Sequence, residues 1–147
     1  MFKVEGGKID IAHHKNYAQL AVREVAEFDD AIIAGLREVN TDETLIIVTA
    51  DHSHAFTMNG YPHRGNDILG LTETTGSQQK YETLTYANGP GYFYHMINDT
   101  RDSAGPWKSL ENDTNRGKPF YQHFSPRYTK DETHGGEDVG VYAIGKK

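Results

Sequence analysis

Carboxylates and imidazoles concentrate in three short stretches, Glu5 to His14, Asp51 to His54 and Glu132 to Asp138. Asp10 and His14 stand four residues apart. On a helix that begins near Asp10 they lie one turn apart on one face, close enough to share an ion. A carboxylate with a neutral imidazole suits Zn²⁺, although Asp10 also reads as a helix cap and His14 as a surface residue. His13 is rotated away from that face by about 100°. Asp51-His52-Ser53-His54 follows a short apolar run, and in a loop an adjacent Asp and His can share a metal. His54 reads either as a hydrogen-bonded loop histidine or as a group that orients a ligand from behind. His134 sits among Glu132, Glu137 and Asp138 and precedes Gly135-Gly136, a pair that lets backbone approach a site closely. Glu5 follows a strand-like stub and Asp51 a second strand, which puts both at strand carboxyl ends, where open α/β sheets bind ligands. Glu5, Asp10, His14, Asp51, His52 and His134 together give three carboxylates and three imidazoles. That exceeds the needs of one four-coordinate zinc, and the oxygen-rich remainder suits a second metal or Mg²⁺. The residues point to a multi-metal hydrolytic site.

The elements that must position these groups follow from patterning. Between Asn16 and Asn40, Ala18, Val22, Val25, Ile32 and Leu36 recur at helical spacing, the stripe of an amphipathic helix. Leu45-Ile46-Ile47-Val48-Thr49 is apolar on both parities, as a parallel-sheet strand covered on both faces should be. With Phe2-Lys3-Val4 as a preceding strand stub, these elements predict a βαβ crossover, hence an α/β fold with a mostly parallel sheet and flanking helices. Tyr81 to Tyr86 and Val139 to Ile144 read as further strands. Residues 93 to 130, with Gly105-Pro106, Pro119 and Pro126, read as an irregular surface insertion in a single partial domain spanning 1–147. The few residues ahead of Gly6-Gly7 are too short for a full first strand, so a piece of a longer protein is expected.

Composition sets outer bounds. The chain has 147 residues, a mean hydropathy of -0.71 and no run suited to a membrane span. A net charge of -6 argues against a nucleic-acid partner, whose phosphates it would repel. With 0 cysteines, thiolate metal sites and disulfides are excluded, and any metal falls to the 8 His and 21 Asp and Glu.

Val4-Glu5-Gly6-Gly7-Lys8-Ile9-Asp10, His13-His14, Thr49-Ala50-Asp51-His52-Ser53-His54, Gly60-Tyr61-Pro62 with Arg64-Gly65, Asn88-Gly89-Pro90-Gly91-Tyr92 and Glu132-Thr133-His134-Gly135-Gly136-Glu137-Asp138 resemble, in order, the carboxyl-terminal half of an animal-type alkaline phosphatase. The resemblance implies a three-layer α/β/α fold, here truncated, and phosphate monoester hydrolysis through a phosphoseryl intermediate. It implies two zinc ions, one held by Asp10, His14 and His134 and the other by Asp51 and His52, with magnesium at Glu5. It further implies a homodimer in which Tyr61 reaches toward the partner's active site, and an extracellular or cell-surface location of which GPI anchoring is one form. Asn98-Asp99-Thr100 and Asn112-Asp113-Thr114 are acceptor sequons consistent with that location.

Ile11 stands where the family often has His, and Met58-Asn59 where Phe-Gly is commoner; neither position is an implied ligand. The family's nucleophilic Ser, its phosphate-gripping Arg and one shared Asp belong upstream of the Glu-Gly-Gly motif, so no catalytic nucleophile is expected within these residues. Asp102-Ser103-Ala104-Gly105 resembles the nucleophile motif locally, but Pro106-Trp107 follows instead of a phosphate-binding helix, and Ser103 is rejected. Two other readings stay open: a related phosphomutase or sulfatase, against which Thr133 to Asp138 argues, and a non-catalytic zinc-binding module or pseudo-enzyme. The 147 residues alone are expected to fold weakly and to lack activity.

Overall fold

The computed structural model describes residues 1–72, 80–96, 110 and 112–146. Helix α1 runs over Lys8–His14 and α2 over Ala18–Glu38. They are followed by β1 (Ile46–Thr49), β2 (Phe56–Met58), β3 (Leu71–Thr72), β4 (Tyr81–Glu82), β5 (Leu84–Tyr86), α3 (Gly91–His95) and β6 (Val141–Ile144). The two long-range features that matter for function are the break between α1 and α2 and the return of the chain in β6.

The predicted helix is present but starts two residues later, and a separate helix precedes it. Asn16 separates the two with φ 58, a left-handed conformation that Asn tolerates better than most residues. Its side chain is fully buried at 0% exposure, where Oδ1 accepts Gly91 N–H at 2.8 Å and Nδ2 donates to the Asn88 carbonyl at 3.2 Å. Its own carbonyl accepts His123 N–H at 2.8 Å. The corner therefore fastens the end of α1 to the Asn88–Gly91 turn, and α1 and α2 pack on each other. Ala18, Leu84 and Tyr86 form a small core with Phe56 and Leu69 against it.

The mostly parallel sheet is not what the described residues form. The described residues make three two-stranded sheets, β1 with β6, β2 with β5 and β3 with β4, each pair antiparallel. Phe2-Lys3-Val4 lies outside any strand, so the βαβ crossover is absent from these residues. Apolar residues on both parities indicate a strand without giving the direction of its neighbour. Here β6 runs back along β1 in the register Ile46↔Ile144 to Thr49↔Val141. Nor is β1 covered on both faces, since Ile47 is 59% exposed. The stretch read as a surface insertion opens inside α3 (Gly91–His95), and its Leu110, Tyr121, His123 and Ser125 are buried, so these parts are packed. Ser103 and Asn98 lie outside the described residues.

Candidate metal centre

Three segments converge on one rim. The first is α1, which carries Asp10 and His14 on one face as its i,i+4 spacing requires. The second is the loop after β1, from Asp51 to Ala55. The third is the extended segment from Asp131 to Gly136. Ala55 N–H donates to the Thr133 carbonyl at 3.0 Å and Gly135 N–H to the Ser53 carbonyl at 2.9 Å, and His54 and His134 face each other in an antiparallel bridge. Gly135 permits this approach: a Cβ there would meet Ser53 Oγ and Glu137 Oε2 and stand 2.9 Å from the His54 carbonyl oxygen.

At the centre is Asp10. Its Oδ1 lies 3.4 Å from His14 Nε2, 3.5 Å from His134 Nε2 and 3.8 Å from His52 Nε2. His14 Nε2 and His134 Nε2 are 3.3 Å apart. Donors on a tetrahedral zinc with bonds of about 2.0–2.1 Å stand about 3.3–3.4 Å from one another, so Asp10, His14 and His134 have the spacing one ion requires. Two of the ring orientations fit as well. His14 Nδ1 donates to the Glu132 carbonyl at 2.6 Å and His52 Nδ1 to the Ser53 carbonyl at 3.1 Å, which leaves each Nε2 with a lone pair directed at the cluster. His54 Nε2 is buried without a hydrogen-bond partner although 3.1 Å from Asp10 Oδ1, an orphaned atom of the kind a cation would satisfy. Asp10, His52, His54 and His134 together bring one donor atom each within 4.8 Å of one another.

The other expected residues are placed differently. Asp51 Oδ2 is 3.6 Å from His52 Nε2, yet its side chain is 90% exposed. Glu5 stands apart, 72% exposed and paired with Lys3 at 3.7 Å. Tyr61 is fully exposed, and Asn112 is an exposed turn residue. Two participants are ones the spacing argument passed over: His54, treated mainly as a loop histidine, and Glu132, treated as a flanking acid. A signal existed, because His52/His54 and Glu132/His134 are both i,i+2 pairs, and extended backbone turns such pairs to one side.

Behind the cluster, the His13 ring stacks on that of His54 with centroids 4.7 Å apart. Burial, the largest effect, lowers the His13 pKa to about 4, so its Nδ1 accepts from the Tyr86 hydroxyl at 2.9 Å. Burial also raises the Tyr86 phenol, which keeps it a donor. His13 is thus a neutral packing group, consistent with its rotation away from the ligand face.

Imidazoles and carboxylates gathered from distant segments of the chain, two of the rings tied back to carbonyls through Nδ1, form groups that could hold a metal ion, with donor types of the kind zinc takes. The whole chain, residues 1–147, matches the family model described as alkaline phosphatase. This chain belongs to the alkaline phosphatase family. It is 53% identical to Alkaline phosphatase 4 of Drosophila melanogaster, 40% identical to the membrane-bound alkaline phosphatase of Bombyx mori and 40% identical to the tissue-nonspecific alkaline phosphatase isozyme of Felis catus. Each alignment takes in 97% of this chain, which spans about a quarter of the length of these relatives, 25% to 26%.

Proposed function

We propose that this chain supplies much of the metal-binding rim of an enzyme that hydrolyses phosphate monoesters. Asp10, His14 and His134 hold one zinc, Asp51 and His52 contribute to a second, and Glu5 contributes to a magnesium site once its carboxylate turns from Lys3. The observation that carries this reading is the triangle of 3.4, 3.5 and 3.3 Å among the Asp10, His14 and His134 donor atoms. When bound, the zinc ions supply the Lewis-acid charge that an in-line displacement at phosphorus requires. The chain's own residues hold the donors deprotonated toward the rim: carbonyls of Glu132 and Ser53 fix the His14 and His52 tautomers, and the Gly135 approach fixes His134. A nucleophilic serine, a homodimer with Tyr61 at the subunit boundary and a glycan at Asn112 belong to the same proposal. A cell-surface location is supported by the membrane-bound name of the Bombyx mori relative, and a GPI anchor belongs to the same proposal. Among the described residues no helix is long and apolar enough to cross a membrane.

The test uses a completed protein, this sequence joined to the remaining three quarters of the Drosophila relative. Turnover of an aryl phosphate should disappear on chelation and return with zinc. Turnover indifferent to chelation would sink the proposal, and bound zinc without turnover would select a non-catalytic zinc module.

A further inference from the structure

Glu132 is 1% exposed, and every polar group it carries is directed at the rim or its supports. Its Oε2 accepts His54 Nδ1–H at 2.6 Å, and its Oε1 accepts Ala55 N–H at 2.5 Å, a hydrogen that Ala55 shares with the Thr133 carbonyl. Its main chain grips α1 from both sides: Glu132 N–H donates to the His14 carbonyl at 2.8 Å, and its carbonyl accepts His14 Nδ1–H at 2.6 Å. One residue thereby joins all three segments of the rim. We propose that Glu132 is a positioning residue that sets the tautomer and orientation of His54, and with them the alignment of the segment carrying His134, for cation binding. The proposal rests on the zinc reading above.

Glu132 is not itself a ligand in this arrangement. At 2.6 Å the His54 contact is a hydrogen bond, shorter than the roughly 3.3 Å separation of two donors on one zinc. The need for a carboxylate follows from counting. Two N–H groups, from His54 and Ala55, converge on one side chain, and a carboxylate offers an acceptor oxygen to each. The amide of Gln offers one oxygen and one NH₂. Whichever way it turns, it opposes a donor to a donor, and either His54 reverses its tautomer or the Ala55 contact opens. Reversal would put a hydrogen on His54 Nε2, the atom facing Asp10.

The experiment is zinc affinity by chelator competition in the completed protein, comparing wild type, Glu132→Gln, His54→Ala and the double variant. Glu132→Gln should bind zinc about 10–100-fold more weakly, and in the His54→Ala background it should cost far less, because its effect runs through that ring. Unchanged affinity in Glu132→Gln, or penalties that add, would overturn the proposal. Nitrogen NMR of the metal-free wild type gives a reading that depends on no variant: His54 should carry its proton on Nδ1, and an unprotonated Nδ1 overturns the proposal even if Glu132→Gln fails to fold. Wild-type protein that binds no zinc overturns both this proposal and the phosphatase reading. Zinc bound without turnover removes the phosphatase reading alone.

Discussion

His14 and His134, 120 residues apart in the chain, bring their Nε2 atoms to 3.3 Å, with Asp10 Oδ1 at 3.4 Å from the first and 3.5 Å from the second. Two imidazole nitrogens that close to each other and to a carboxylate are costly to leave in that arrangement unless a proton or a cation lies among them. The contact depends on two local devices: the helical spacing of Asp10 and His14, and the tight passage of Gly135 beside Ser53.

Removing the distal member should therefore release the metal. His134→Ala is expected to weaken zinc binding by more than the roughly 10–100-fold cost of losing a partner behind a ligand, while changing the unfolding midpoint of the metal-free protein little, since the His134 side chain is nearly half exposed. Equilibrium dialysis with zinc, paired with denaturation of the apo protein, reads both. Wild-type zinc affinity in this variant would remove His134 from the site.

Gly135→Ala tests the approach of the two loops. The added methyl meets Ser53 Oγ and Glu137 Oε2, which can rotate aside, and the His54 carbonyl oxygen at 2.9 Å, which cannot without moving backbone. A loss of about 1–3 kcal/mol is expected by urea denaturation, from overpacking, together with weaker zinc binding. An unaffected midpoint would mean that the loops tolerate a wider separation.

Asn16 should matter through burial and left-handed backbone combined. Asn16→Ala leaves the Gly91 N–H and Asn88 carbonyl without their partners and puts a less tolerant residue at φ 58, for an expected loss of about 2–4 kcal/mol in thermal or urea unfolding. Asn16→Gly relieves only the backbone part and should recover only a fraction. Equal stability of Asn16→Ala and wild type would show that the hydrogen bonds are replaced by water.

A second buried polar group, remote from the rim, predicts acid sensitivity. Glu82, His95 and His123 are each nearly inaccessible, with Glu82 Oε2 3.5 Å from His123 Nδ1 and 4.0 Å from His95 Nε2; among the described residues Tyr94, Asp113 and Tyr121 are other titratable groups acting on them. Burial outweighs the Glu82 charge and holds the His95 imidazole below its ordinary 6.5. Burial pushes Glu82 up, but the adjacent His123 and His95 imidazoles and the Phe124 N–H, which donates to Oε2 at 2.7 Å, together outweigh it and leave the carboxyl below its ordinary 4.5. The unfolded chain then takes up protons before the folded one at both groups. Stability should be level above pH 6.5, fall as His95 and His13 of the unfolded state protonate, and fall again below 4.5 as the Glu82 contribution is lost. His95→Gln keeps a donor for the Gln122 carbonyl and should make the first limb shallower, leaving the His13 share, in urea midpoints measured from pH 5 to pH 8. A first limb of undiminished slope in that variant would remove His95 from it.

Taken alone, the 147 residues should be poorly folded and inactive. Ile47, Val141, Tyr142 and Ile144 are 59%, 67%, 72% and 54% exposed on the β1–β6 pair, and Phe2 is 91% exposed. A two-stranded ribbon with its apolar side chains in water is marginal and association-prone. The purified chain should bind a hydrophobic dye, sediment as more than one species and show no aryl phosphate turnover; sharp cooperative unfolding without dye binding would contradict this.

Residue types and short-range spacing were enough to identify the ligand candidates, because the chemistry of Asp and His is intrinsic and helical i,i+4 geometry is local. Hence Asp10, His14, His52 and His134 were legible from the sequence, as was the family, whose motifs are contiguous. Tertiary structure decided what depends on partners distant in the chain. It turned the β1 neighbour antiparallel, because hydrophobic alternation fixes which face is apolar and carries no information about the direction of the next strand. It also left Glu5 and Asp51 exposed and drew in Glu132 and His54, because a buried carboxylate is defined by the donors that surround it, and those come from α1 and the loop after β1, some 77 to 118 residues away in the chain.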